Sequence, residues 1–382
     1  MKRRQFVAAA LTSLATPFAS AAVDVAPNFT RFVKPDTATD EGGLWAMMDR
    51  EESKLRRGPF LMRDASFKEY VQDIACRLGG DHCPDIRVHL VNNRYFNASM
   101  APNGMLQVWS GLMLRVDNEA QLAAVLAHEI GHYMERHSLA SLRDLKSRAA
   151  FANFMAVLGV AGLIGQLLSV GGMYSFSRDH ERQADQISLA LMAKAGYDPR
   201  EAGLIWRNLL AEVKADPETD PTKESVLFAT HPPMEERQNT LAEMAGKLPK
   251  GVTNEEAWIK RTAPFRREWL NEEVKRAKSA ESLVLLKRLI ERSPKEADFP
   301  YARAEVYRLR AKEGDAELAL KDYQTAQSLG NEPAETHRGL GMIYRERKQL
   351  AQAKTSFARY LELAPEASDF LMIKSYVEES AA

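Results

Sequence analysis

The chain has 382 residues, 45% hydrophobic and 27% charged, with 52 basic side chains against 52 acidic ones. That usage excludes wholesale disorder and fibrous repeats, and the length divides into two or three domains at roughly 150 residues each. A net charge of +0 argues against a nucleic-acid binder held by general electrostatic attraction, and two cysteines exclude a disulfide framework or a thiolate metal cage.

Residues 1–22 read as an export signal. Lys2, Arg3 and Arg4 are positive, Phe6 to Leu14 are uncharged and mostly apolar, and Ala19-Ser20-Ala21 is a small-residue cleavage site. The apolar run is too short to span a bilayer. Arg3-Arg4-Gln5-Phe6-Val7 also resembles the twin-arginine signal, so the secretory and twin-arginine routes both stay open. Either delivers the chain to an oxidising compartment, where Cys76 and Cys83 form a loop-closing disulfide or stay as two buried thiols.

Ile86 to Val91 alternates branched residues as a strand does. Asn97 to Ala101 and Met105 to Trp109 read as two strands turned through Pro102-Asn103-Gly104. Helices follow. Asp117 or Asn118 caps a long one with Leu122, Leu126, Ile130 and Tyr133 on one face. A second runs from near Ser177 to Gly196, and a third opens on Asp198-Pro199-Arg200-Glu201, a capping box. Beyond a short linker at Leu248 to Gly251 the chain is helical to its end.

The long helix carries His128-Glu129-Ile130-Gly131-His132. Histidines four apart on a helix lie about 40° apart in projection, so both can hold one zinc ion. Glu129, one step around, is placed to take a proton from a water activated there. A third protein ligand is needed. His137, read as lying on another face of the same helix, is expected to be solvated or capping, so its replacement leaves metal binding unchanged. Glu181 is the better candidate: it shares a helix face with Asp185, so one can ligate while the other fixes a ligating imidazole.

Ala149 to Ser177 carries no charge, which makes it a membrane-span candidate. A single crossing would separate His132 from Glu181 across the bilayer. The segment therefore reads as a buried or membrane-surface hairpin near the site, with re-entrant insertion as the alternative.

From Ala334 to Pro365, Leu340, Gly341, Tyr344, Ala353, Phe357 and Pro365 follow the spacing of the tetratricopeptide unit, with Tyr360 standing where a small residue is usual. Ala304, Tyr307, Ala319, Tyr323 and Ala326 repeat the pattern, and Ser282 to Pro294 looks like half of an earlier unit. Two to three repeats would present a concave surface to partners.

Together, the hairpin after Asn97-Ala98, Gly111-Leu112, the HEIGH motif, Ser177 to Asp185, and Thr230-His231-Pro232-Pro233 with Arg237 resemble the gluzincin metallopeptidases of the CaaX prenyl-protease and HtpX type, in their soluble periplasmic branch with C-terminal tetratricopeptide repeats. The resemblance covers nearly the whole mature chain and implies one Zn2+ on His128, His132 and Glu181, Glu129 as general base, and Asp185 behind a ligand. The family usually has Glu where this chain has Gln183. It also implies that His231 lies near the site, either stabilising the oxyanion or filling the fourth zinc position; the remaining reading is a helix cap. Arg237 would hold a substrate carbonyl or pair with a carboxylate.

The expected fold is α+β and mostly α-helical: an export signal over 1–22, a zinc metallopeptidase domain with a small β-sheet over 23–250, and a helical repeat domain over 251–382. The expected function is a periplasmic zinc endopeptidase acting on unfolded or misassembled envelope proteins, in outer-membrane protein assembly and quality control. A substrate would add a strand beside Asn97 to Met100. The repeats are a docking surface for the assembly machinery, residues 149–177 for peripheral membrane contact, and nucleic acid is not a partner. The alternative is a chaperone or assembly adaptor whose zinc site is structural or latent.

Overall fold

A computed structural model describes residues 30–146, 176–216, 231 and 235–379. The export signal, most of the uncharged 149–177 segment, and Thr230, Pro232 and Pro233 lie outside the described residues.

The architecture is α+β and mostly helical, as expected. Helix α1 (Asp40–Arg57) and α2 (Ala65–Gly79) precede the sheet, each with a side-chain cap: Thr39 accepts from Gly42 N and Asp64 from Phe67 N. Cys76 and Cys83 are disulfide-bonded, tying the end of α2 to a short 3₁₀ turn at Gly80–Asp85. Strands β1 (Arg87–Val91), β2 (Ala98–Met100) and β3 (Met105–Trp109) form a sheet of order β1-β3-β2. The predicted hairpin is the antiparallel β2–β3 pair, while β1 runs parallel to β3. Among the described residues, one edge of β2 therefore has no strand partner. Asn97 O accepts from Trp109 N and Ala101 N donates to Met105 O, so by alternation Ala98 and Met100 turn their backbone groups to the free edge.

A short α3 (Ser110–Arg115) leads to α4 (Glu119–Met134), whose N-cap is Asn118, accepting from Gln121 N at 2.9 Å. Every residue of α4 is buried, polar ones included, because the sheet, α2, α6 (Arg178–Lys194) and α7 (Arg200–Val213) pack around it. Ser177 caps α6 through a hydrogen bond from His180 N. The capping box expected for α7 is only half present: Asp198 accepts from Arg200 N, but the Glu201 carboxylate turns away to accept from Asn118 and Gln121, bracing the start of α4.

Helix α5 (His137–Lys146) follows α4, and α8 (Glu235–Gly246) packs on α7. Helices α9 (Glu255–Lys275), α10 (Ser279–Arg292), α11 (Asp298–Arg310), α12 (Asp315–Leu329), α13 (Glu335–Glu346), α14 (Leu350–Leu363) and α15 (Phe370–Glu379) complete the chain, with neighbours in sequence packing on one another from α11 onward. Close approach needs glycine at two of these contacts: a Cβ on Gly339 would fall 2.4 Å from Tyr323, and one on Gly341 2.4 Å from Phe357. The departure at Tyr360 is accommodated, its hydroxyl donating to Asp369 at 2.7 Å. The largest core cluster continues across the linker, joining Leu122 and Ile205 to Trp258, Trp269, Leu286 and Phe299. A buried ion-pair network crosses there too, with Arg115 donating to Glu212 at 2.7 Å and to Glu273 at 2.8 Å.

Candidate metal centre

Helices α4 and α6 meet where Gly131 faces Ala184; a Cβ on Gly131 would lie only 3.3 Å from the Ala184 carbonyl oxygen. That approach brings the predicted ligands together, and His231 arrives from the segment before α8. His128 Nε2 stands 3.1 Å from His132 Nε2 and 3.3 Å from His231 Nδ1. Glu181 Oε1 is 3.4 Å from His132 Nε2 and 2.9 Å from His231 Nδ1.

All four residues are buried, and one ligand atom from each lies within 4.8 Å of every other. Four N or O ligands around a tetrahedral metal at about 2.0–2.1 Å are separated by about 3.3 Å along each edge. The measured spacings, the three imidazoles and the carboxylate fit such an ion, and no other group of this kind occurs among the described residues.

The surrounding charges act differently on Glu181, His132 and His128. Burial alone would raise the Glu181 carboxyl, but His231, His128 and His132 hold it far below the usual carboxylate range. Burial keeps His132 well below its ordinary value, in the neutral form that a metal requires. His128 is opposed by burial yet pushed up to about 9 by Asp185 and Glu181. Asp185 Oδ1 lies 3.0 Å from His128 Nδ1. Arg237 takes the ion-pairing role of its two readings: it donates to both Asp185 oxygens at 2.7 and 2.8 Å, and its Nη1 is 2.7 Å from Glu181 Oε2. Its guanidinium also lies over the Trp206 ring, 4.5 Å from the centroid.

Glu129 is beside the cluster rather than in it. Its Oε1 is 3.5 Å from His231 Nε2, and its Oε2 accepts from Met100 N on the free edge of β2 at 3.3 Å. Burial raises its carboxyl, a direction that suits a general base.

His137 departs from expectation. It does not continue the HExxH helix, because α4 ends at Met134 and Arg136 takes a left-handed φ of 55°. The Arg136 side chain donates to Glu41 at 3.0 Å and lies over the Phe32 ring. The reversal folds His137 back against His132 and buries it, so it is not solvated. Its Nδ1 lies 2.9 Å from His132 Nδ1 and its Nε2 3.1 Å from Gln183 Oε1. Burial and nearby His180 hold His137 down at about 4, hence neutral. Gln183, Glu135 and the Phe176 ring stacked 3.9 Å from His132 were not singled out by sequence reasoning; only the Gln at a position usually Glu marked one of them.

Residues 62–245 match peptidase family M48. The beta-barrel assembly-enhancing protease of Escherichia coli (strain K12) is 28% identical over 226 residues, covering 53% of this chain and 45% of that protein. Its counterpart in Yersinia pestis is 29% identical over 237 residues, covering 56% and 47%. The mitochondrial metalloendopeptidase OMA1 of Schizosaccharomyces pombe is 31% identical over 158 residues, covering 41% and 45%. The chain thus spans about half the length of the curated relatives it matches.

Proposed function

The chain carries a peptidase family M48 domain, and from that premise we propose that it is a zinc-dependent endopeptidase of the bacterial periplasm. The observation that carries the proposal is the convergence of His128, His132, Glu181 and His231 beside a buried Glu129. One zinc per chain would be held by His128, His132 and Glu181, with His231 at the fourth position in the resting state. Bound there, zinc supplies a water of lowered pKa and polarises a carbonyl. Glu129 removes the proton from the attacking water and delivers it to the leaving amine. Asp185 orients the His128 ring, and Arg237 holds Asp185 and Glu181 in place.

An extended substrate would pair with the free edge of β2, at the backbone of Ala98 and the carbonyl of Met100, whose N–H donates to Glu129. Main-chain recognition has little sequence selectivity and suits unfolded or misassembled envelope proteins. The relatives named for β-barrel assembly support a role in outer-membrane protein assembly. Residues 251–382 would act as tetratricopeptide repeats that dock partners. A cavity of about 550 Å³ lined by Tyr307, Arg308, Arg338, Met342 and Met372 offers a surface for that. Among the described residues no helix is long and apolar enough to cross a membrane.

One observation favours a second reading. With His231 included, the cluster supplies four protein ligands, the number of a structural site. In that case the protein is a chaperone or assembly adaptor. Zinc analysis and casein digestion of the full chain test both readings. An endopeptidase binds one zinc and cleaves casein, and Glu181→Ala loses both properties; zinc binding without cleavage under any condition favours the adaptor.

A further inference from the structure

His132 extends its second ring nitrogen into a chain of polar side chains that the proposed reaction does not use. Its Nδ1 lies 2.9 Å from His137 Nδ1, His137 Nε2 lies 3.1 Å from Gln183 Oε1, and Gln183 Nε2 donates to Glu135 Oε2 at 2.8 Å. Both histidines are buried, and Gln183 and Glu135 are half-buried.

Between two neutral imidazoles facing each other through Nδ1, one ring donates and the other accepts. The two directions have opposite consequences. If His137 donated, a neutral His132 would carry its own proton on Nε2 and have no lone pair for the metal cluster. If His132 donates, its Nε2 lone pair is free and points at His128, Glu181 and His231.

The far end of the chain decides between them. A carboxylate only accepts, so Glu135 requires the amide nitrogen of Gln183 on its side. That turns the amide oxygen toward His137. An amide oxygen also only accepts, so His137 must be protonated on Nε2, which leaves its Nδ1 as an acceptor for His132. Rotation of the rings is restrained as well. Phe176 stacks on His132 with 3.9 Å between centroids, and His180 stacks on His137 at 4.2 Å.

We propose that Glu135, Gln183 and His137 are positioning residues that fix the tautomer of His132 and so make its Nε2 a metal ligand. The inference rests on the ligand assignment above. It replaces the expectation that substitution at His137 leaves metal binding unchanged. Metal ligands commonly have such partners, whose loss costs about 10–100-fold in affinity. Here the partner is a three-residue chain whose direction is set by a carboxylate at its end.

The test is the zinc dissociation constant of the full chain, measured by competition with a chromophoric chelator. The thermal midpoint of each metal-free variant serves as a check on folding. Gln183→Leu keeps the volume and removes the acceptor, and His137→Phe keeps a ring and removes the relay. Each weakens zinc binding on the order of 10-fold. Gln183→Glu keeps an acceptor for His137 but sets a second carboxylate beside Glu135, so it is combined with Glu135→Gln; the exchanged pair restores the donor, the acceptor and the direction of the chain, and binds zinc as tightly as the unmodified chain. Glu181→Ala is run alongside. If it loses zinc while Gln183→Leu and His137→Phe bind normally, or if the exchanged Glu135→Gln, Gln183→Glu pair is as weak as Gln183→Leu, the relay is wrong and the ligand set stands. If Glu181→Ala itself binds zinc normally, the ligand assignment fails.

Discussion

His231 holds its Nδ1 2.9 Å from Glu181 Oε1, and the same nitrogen lies 3.3 Å from His128 Nε2. The imidazole therefore converges with the three proposed ligands, close enough to be a fourth. A catalytic zinc site keeps one position open, whereas a closed one has all four filled by protein. On the proposed assignment, His231 in that position would keep the protease latent until substrate or a partner moved it aside.

His231→Ala is accordingly expected to raise the basal kcat/KM for peptide hydrolysis. A fall on the order of 100-fold would instead mean that the imidazole stabilises the oxyanion. No change would leave it without a role in the reaction.

Arg115 is buried between Glu212 and Glu273 and so links α3 and α7 to α9, across the linker to the helical region. Removing one partner of a buried ion pair leaves uncompensated charge and costs about 3–5 kcal/mol. Arg115→Ala should lower the unfolding free energy by that amount in urea titration. A loss below about 1 kcal/mol, typical of an exposed pair, would show that the network does not hold the two regions together.

Glu52 on α1 joins Arg87 and His89 on β1. Burial opposes its ionised form, but the hydrogen bonds from Arg87 and His89 lower its carboxyl from 4.5 to about 2. A carboxyl lowered on folding adds stability that is fully present above its unfolded value and is lost as the pH falls toward its folded value. The unmodified chain should therefore lose stability between about pH 4.5 and pH 2 more steeply than Glu52→Gln does. Parallel urea midpoints for the two across that range would contradict the assignment.

The metal centre was legible where its residues sit at helical spacing. His128, Glu129 and His132 follow one helix face, and Glu181 and Asp185 follow another. Asn118 and Ser177 announced the caps of those helices. The place of His137 is not legible in the sequence because spacing assumes that a helix continues, whereas the left-handed Arg136 ends this one. Gln183 stands out in the sequence only as a departure from the usual Glu, which says nothing about what lies across the helix interface. Arg237 could be narrowed only once Asp185 and Glu181 were seen to engage its guanidinium. The parallel pairing of β1 with β3 likewise depends on a crossover that local alternation cannot reveal.

On the proposed mechanism, Glu129 moves protons beside a metal it does not bind. The most direct measurement is peptide hydrolysis by Glu129→Gln together with zinc content by atomic absorption. Glu129 touches Met100 N and His231 but is not among the four converging residues, so the isosteric amide should abolish turnover while zinc stays near one per chain. Loss of zinc along with activity, or full activity in the variant, would contradict the account.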